Sequence, residues 1–254
     1  MFLGLFSNII RILLFLAVIP AVVLLVYIYR LDRLEKEPVM FVVALVGLGC
    51  LSTVFAVISE LVFGKVLSLT IQESSPWYLV IYYFIVVGLS EEGFKYLLLH
   101  RKTWRAREFN CRFDGIVYAV SVSLGFALLE NIEYVFAYGI STAIIRALTA
   151  VPGHCSFGIL MGLLYSRAKE ADYQKNKVKT KVFKTLALIV PTLAHGAYDY
   201  IATIVTGNAQ WYFIAFIAVL FAMCFITVKR ESKNDRYINK KPQNPDDIFN
   251  QLFK

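Results

Sequence analysis

The chain has 254 residues, of which 58% are hydrophobic and 17% are charged, and its formal net charge is +8. Soluble domains typically contain about 45–50% apolar and about 25% charged residues, so this composition excludes a disordered chain and disfavours a soluble enzyme. Four cysteines in a chain of this length also exclude a disulfide scaffold. A mean hydropathy of +0.63 indicates one integral-membrane domain instead.

Seven apolar segments follow one another along the chain, each near the ~20 residues that span a ~30 Å hydrocarbon core. They lie at 9–29, 39–63, 77–99, 115–138, 141–166, 185–206 and 210–228. Segments such as Phe213–Phe225 lack the apolar and polar alternation of a membrane barrel strand. The sequence therefore predicts an all-α, polytopic integral-membrane bundle of about seven transmembrane helices.

The basic residues are concentrated in alternate loops. Of the 26 Lys and Arg residues, 22 lie in the stretches 30–37, 101–112, 167–184 and 229–254. Cytoplasmic loops collect Lys and Arg, so we expect the N-terminus outside and the C-terminus inside. The predicted division is a membrane domain over 1–228 and a polar cytoplasmic tail over 229–254. Membrane topology accounts for these charges, so lipid is an expected partner and nucleic acid is not.

The third to sixth apolar segments contain ionisable side chains, and each charge there costs at least about 2.5–3.5 kcal/mol on insertion scales. In chain order the polar residues of interest are Glu91, Glu92, Lys95, Glu130, Asn131, Glu133, His154, His195 and Asp199. An intramembrane ionisable residue is a functional-site hypothesis by default. The carboxylates in this set outnumber the cations, which favours chemistry or proton transfer over structural ion pairs. Asp114, at the start of the fourth segment, is expected only to cap its helix.

Helical spacing predicts contacts within this set. Lys95 follows Glu92 by three residues and Glu91 by four, so its side chain can reach either carboxylate. His195 and Asp199 are also four residues apart, which lets the carboxylate orient the imidazole. Two adjacent carboxylates in a low-dielectric cavity cannot both ionise cheaply.

These side chains are suited to hydrolysis of a peptide by activated water. Glu91 or Glu92 is the candidate general base, His154 the candidate partner in holding the water, and His195 the candidate donor to the oxyanion. The candidate supporting residues are Lys95, Glu130, Asn131 and Asp199. The scheme needs no covalent intermediate and no cofactor.

The four motifs and their order resemble the PrsW family of intramembrane proteases, part of a superfamily of CAAX prenyl endopeptidase-like and bacteriocin-processing membrane proteins. The matching segments are Glu91–Lys95 for EExxK, Phe126–Glu130 for FxxxE, His154 with Gly158, and His195–Asp199 for HxxxD. The similarity extends from the Asp32–Pro38 segment to Val228.

This resemblance implies a glutamic-type intramembrane peptidase of the bacterial cell membrane. It also implies a substrate and a place in signalling. The enzyme would make the first cut in a single-pass membrane anti-sigma factor, starting regulated proteolysis that releases an extracytoplasmic-function sigma factor.

Three alternatives stay open at this level. A proton-coupled transporter would use similar carboxylate and imidazole chains, but it predicts internal symmetry between halves, which the sequence lacks. A non-catalytic membrane scaffold predicts loss of motifs, and all four are intact. A zinc peptidase would use Glu91, Glu92, His154 and His195 as ligands; because no HExxH motif is present, no metal is expected.

Overall fold

The computed structural model describes residues 2–205, 207 and 210–238. The helices are α1 (Phe2–Leu31), α2 (Val39–Thr70), α3 (Pro76–Ile81), α4 (Ser90–Thr103), α5 (Asp114–Tyr138), α6 (Ile140–Leu148), α7 (Ala150–Tyr173), α8 (Lys177–Ile204) and α9 (Gln210–Lys233). A π-helical segment, Tyr82–Leu89, joins α3 to α4. Extended pairing within these ranges is limited to one isolated bridge between Cys111 and Tyr237. The predicted all-α class is therefore confirmed.

Five stretches of the described chain are long and apolar enough to cross a membrane. They are Ile10–Leu31, Val39–Thr70, Asp114–Tyr138, Ile140–Tyr173 and Gln210–Lys233. These stretches confirm a polytopic membrane protein and correspond to five of the seven predicted spans. The third and sixth predicted spans fall in the 76–103 region and in α8, whose charged residues reduce their hydropathy. The count of seven and the orientation stay predictions.

The fifth predicted span is divided into two helices. Thr149, with φ −123° and ψ −66°, separates α6 from α7. In one continuous helix the ring of Pro152 would clash with the carbonyl four residues earlier. The chain instead begins α7 at Ala150, so the proline falls in the first turn, where no such carbonyl precedes it. His154 consequently lies near the start of α7.

Helix α5 is the central element, and its N-terminal half is buried on every side. Glycines allow its neighbours to approach closely. A Cβ on Gly49 of α2 would lie 2.1 Å from the Val122 carbonyl oxygen, and one on Gly162 of α7 would lie 2.4 Å from the Gly115 carbonyl oxygen. Small residues are used in this way where membrane helices cross. These crossings fix α7, and with it His154, against α5.

A second close crossing joins the π-helical segment to α8. A Cβ on Gly196 would lie 2.7 Å from Cδ1 of Phe84 and 2.9 Å from its Cα. Such π-helical turns are frequent at functional sites, and this one ends just before Glu91. The crossing therefore sets His195 beside the beginning of α4.

The first part of the predicted tail folds back onto the loop before α5. Asp235 Oδ1 accepts a hydrogen bond from the Phe113 amide at 2.9 Å, and the Ile238 amide donates to the Asn110 carbonyl at 2.7 Å. The rest of the tail, residues 239–254, lies outside the described residues. The division into a membrane domain and a tail stays a prediction.

Candidate active site

Lys95 lies at the centre of the buried polar cluster and is fully buried itself. Its ammonium is 2.7 Å from Glu92 Oε1, 3.1 Å from Glu91 Oε2 and 3.3 Å from His154 Nδ1. The ring of Phe126 lies below it, with its centroid 3.8 Å from Nζ, in a cation–π contact. Lys95 thus contacts both carboxylates, as the helical spacing predicted. The aromatic ring beneath it belongs to Phe126, the first residue of the FxxxE motif.

His195 stands among three carboxylates. Its Nδ1 is 3.0 Å from Glu92 Oε1, while its Nε2 is 3.8 Å from Glu91 Oε2 and 3.4 Å from Asp199 Oδ2. The ring stacks on Phe157 with a centroid distance of 4.7 Å. Both ring nitrogens are therefore held in a defined direction, with Nε2 towards Glu91 and Asp199.

Glu130 contacts two basic side chains at the edge of the cluster. Its Oε2 is 2.8 Å from His154 Nε2 and 2.8 Å from an Arg146 guanidinium nitrogen. The same guanidinium donates through Nε to Asn131 Oδ1 at 3.0 Å, and Asn131 Nδ2 donates to the Ala17 carbonyl at 2.8 Å. Asn131 therefore positions Arg146 and links α5 to α1 through hydrogen bonds.

The cluster opens into a cavity of about 560 Å³, within the range of about 300–1,000 Å³ typical of ligand sites. Its polar lining includes Glu60, Glu91, Glu130, Glu133, Arg146, His154, His195 and Asp199. Glu92 and Lys95 are behind this lining, and Glu92 is 0% exposed. The adjacent carboxylates of the EExxK motif are consequently inequivalent, since Glu91 faces the cavity and Glu92 does not.

Sequence reasoning missed Glu60 as a member of this site. It lies on α2, is half-buried, and lines the same cavity as Glu91. The signal was present, because Glu60 is a carboxylate inside the apolar segment 39–63 and intramembrane charges are rare. The role of Arg146 was also missed, since its position near the outer end of its segment gave no sign that it reaches Glu130.

Carboxylates and imidazoles converge here on a cavity inside a polytopic helical bundle, an arrangement that suits an intramembrane protease. Comparison with known proteins agrees, because residues 37–227 match the family described as "PrsW family intramembrane metalloprotease". The chain belongs to the PrsW family, and it is a multi-pass protease of the cell membrane.

Curated relatives cover most of the chain. Protease PrsW of Bacillus subtilis (strain 168) is 33% identical over 220 residues, which are 87% of this chain and 94% of the relative. Protease PrsW of Geobacillus kaustophilus (strain HTA426) is 36% identical over 184 residues, covering 72% and 76%. Protease PrsW of Clostridioides difficile (strain 630) is 29% identical over 228 residues, covering 88% and 90%. No solved structure matches the chain.

The family description names a metalloprotease, which raises the question of whether the residues of the cluster could bind a metal ion. Glu91, Glu92, His154 and His195 each offer a ligand atom, and these atoms lie within 4.8 Å of one another. Their number and type suit zinc. Lys95, however, places its ammonium within 3.3 Å of three of the four side chains. Because an ammonium and a divalent cation repel each other, a metal ion held by these four side chains would lie beside the like charge of Lys95.

Proposed function

We propose that the protein is a glutamic-type intramembrane endopeptidase in which Glu91 is the general base and no metal takes part. One observation carries this proposal: Glu91 faces the cavity, whereas its neighbour Glu92 is enclosed between Lys95 and His195. A general base must reach the water that it deprotonates. Only the first carboxylate of the pair meets that requirement.

The proposed reaction is hydrolysis of a peptide bond by water held at Glu91. The Glu91 carboxylate takes a proton from the water molecule while the water oxygen forms a bond to the carbonyl carbon of the substrate. The carbon–nitrogen bond then breaks, and the proton on Glu91 passes to the departing amine. Lys95, 3.1 Å away, keeps the carboxylate oriented between these transfers.

His195 is the proposed donor to the oxyanion. Its Nε2 points into the space between Glu91 and Asp199, at contact distances of 3.8 and 3.4 Å. Those distances leave Nε2 free to form a shorter bond to a developing negative charge beside the base, which is where such donors act. Asp199 and Glu92 hold the ring in that direction.

His154 lines the cavity, and protein groups contact both of its ring nitrogens. The Lys95 ammonium can only donate, so it donates to Nδ1 of His154, and Nε2 then carries the proton that is donated to Glu130. Both ring nitrogens are engaged by protein groups. We propose that His154 positions Lys95 and Glu130, and that Glu130 with Arg146 contacts the substrate backbone.

The proposed substrate is a single-pass membrane anti-sigma factor, cut first at this site so that later proteolysis releases an extracytoplasmic-function sigma factor. The resemblance of the four motifs to the PrsW family supports this substrate. The site also lies among helices that are candidate membrane spans, which suits a membrane-embedded substrate.

The decisive experiment uses the full chain, purified in detergent and mixed with labelled single-pass membrane proteins. Cleavage by the wild type, retained in the presence of a chelator and lost in Glu91→Gln, is the expected result. Cleavage of several single-pass segments but not of an anti-sigma factor would remove the proposed substrate while leaving the protease. Equal cleavage by Glu91→Gln and wild type would overturn the assignment of the base.

A further inference from the structure

A second cluster of buried carboxylates lies far from the active site. Asp32 follows α1, Glu37 precedes α2, and Asp114 is the first residue of α5. All three are almost completely buried, with exposed fractions of 0%, 4% and 0%. Asp114 and Glu130 are sixteen residues apart on α5, which places the two clusters about 24 Å apart at 1.5 Å per residue.

No basic side chain of the described residues forms an ion pair with this cluster. Lys36 acts on Asp32 from a distance, but its ammonium donates to the Tyr29 carbonyl and lies over the Tyr29 ring. These buried carboxylates are therefore poorly compensated by the protein itself.

The cluster also contains buried polar atoms that lack a hydrogen-bond partner within the described chain. They are both carboxylate oxygens of Asp32, Glu37 Oε2, Asp114 Oδ1 and the Tyr118 hydroxyl. Tyr118 is fully buried one turn beyond Asp114, and its hydroxyl faces the Glu37 carboxyl. Most buried polar groups are satisfied, so this concentration of free oxygens calls for a missing partner.

The spacing and chemical type of these oxygens indicate a metal ion as the missing partner. One oxygen from each carboxylate lies within 4.8 Å of the others. Two ligands of one Ca²⁺ ion, at about 2.3–2.6 Å each, are at most about 5 Å apart. Carboxylate oxygens are the ligands preferred by hard divalent cations.

We propose that Asp32, Glu37 and Asp114 together bind one hard divalent cation, Mg²⁺ or Ca²⁺, which ties the end of α1 to the beginnings of α2 and α5. The second oxygen of Asp114 accepts hydrogen bonds from the Asn110 and Cys111 amides, so its carboxylate is already oriented. The cation neutralises three buried carboxylates and locks the junction from which α5 extends.

The test is thermal unfolding of the full chain in detergent, after removal of cations with a chelator and then with Mg²⁺ or Ca²⁺ added alone. At a hundredfold excess over Kd, we expect the Tm to rise by about 5–10 °C with at least one of the two ions. Comparing the two additions identifies the ion. No rise with either ion would overturn the proposal.

Matched variants test whether a rise in Tm on adding a cation comes from binding to Asp32, Glu37 and Asp114. Asp32→Asn and Asp114→Asn should abolish it, whereas the exposed Glu73→Gln should retain it in full. Glu91→Gln should also retain it, which separates this site from the membrane-buried donors and from the proposed catalytic role. If Asp114→Asn fails to fold because its amide contacts are weakened, Asp32→Asn still decides, since neither Asp32 oxygen has a close hydrogen-bond partner within the described chain. An undiminished rise in Asp32→Asn would refute the site.

Discussion

Glu92 and His195 are joined across α4 and α8 by a contact of 3.0 Å between Oε1 and Nδ1, and neither side chain is more than 4% exposed. The same oxygen accepts a hydrogen bond from Lys95. Glu92 therefore holds the two groups that flank Glu91 without facing the cavity itself. The two glutamates of the motif should respond differently to the same substitution.

For Glu91→Gln, we expect turnover to fall by about 10²–10⁴-fold, the usual loss when a general base is removed. The melting temperature should stay close to that of the wild type, because Lys95 keeps its shorter bond to Glu92. Single-turnover cleavage and thermal unfolding in detergent measure the two effects. A twofold change in turnover would count against Glu91.

For Glu92→Gln, we expect both activity and stability to fall. The amide leaves the Lys95 ammonium less compensated in a fully buried position, and breaking a buried ion pair costs about 3–5 kcal/mol. The melting temperature should decrease clearly relative to Glu91→Gln. If Glu92→Gln unfolds like the wild type and Glu91→Gln does not, the proposed division between base and positioning residue is reversed.

A second pair of substitutions separates the imidazole of His195 from the carboxylate of Asp199 that orients it. His195→Ala should lower kcat by on the order of 10²–10³-fold, as removal of an oxyanion donor does. Asp199→Asn should cost less, because the amide oxygen can still hold Nε2. Glu133→Gln at the cavity lining is the matched control and should have little effect. Equal losses in Asp199→Asn and Glu133→Gln would show that Asp199 does not act through His195.

Sequence reasoning identified the residues that converge here because charges inside apolar segments are costly and therefore conspicuous. Glu91, Glu92, Lys95, His154, His195 and Asp199 were all visible in this way, and i,i+3 and i,i+4 spacing gave the contacts within one helix. The inequivalence of Glu91 and Glu92 was not visible. It depends on which side of α4 faces α8, and no single-helix pattern contains that information.

The fold was predictable to a similar extent. Length and hydropathy gave the membrane class, whereas the break at Thr149 and the π-helical segment before Glu91 arise from local chemistry and packing between helices. For Asn131, too, the sequence showed the residue type and its position but not its contacts with other helices. Its place in a polar membrane segment predicted a supporting residue, whereas its contacts with Ala17 and Arg146 depend on how the helices pack.

Chelation tests the counter-charge at the centre of the site. If Lys95 is that charge, cleavage should continue at an undiminished initial rate in EDTA or 1,10-phenanthroline. The protein must first be shown to remain folded, because the proposed Asp32 cluster also loses its cation under these conditions. Loss of cleavage in folded protein, restored by zinc, would instead make His154 and His195 metal ligands.

The crossing between Gly196 of α8 and Phe84 of the π-helical segment sets His195 against α4. In Gly196→Ala the new Cβ would meet the backbone of Phe84 at 2.9 Å, so α8 or the π-helical segment must move. Overpacking of this kind typically costs about 1–3 kcal/mol, and here it displaces the neighbouring imidazole from Glu91 and Glu92. We therefore expect a lower melting temperature and a fall in kcat larger than any change in KM. The matched control is Gly47→Ala on α2, whose Cβ would have no atom within 4 Å and should leave both quantities unchanged. Wild-type kcat in Gly196→Ala would show that the active site tolerates a shift between these helices, and that this crossing does not set the catalytic geometry.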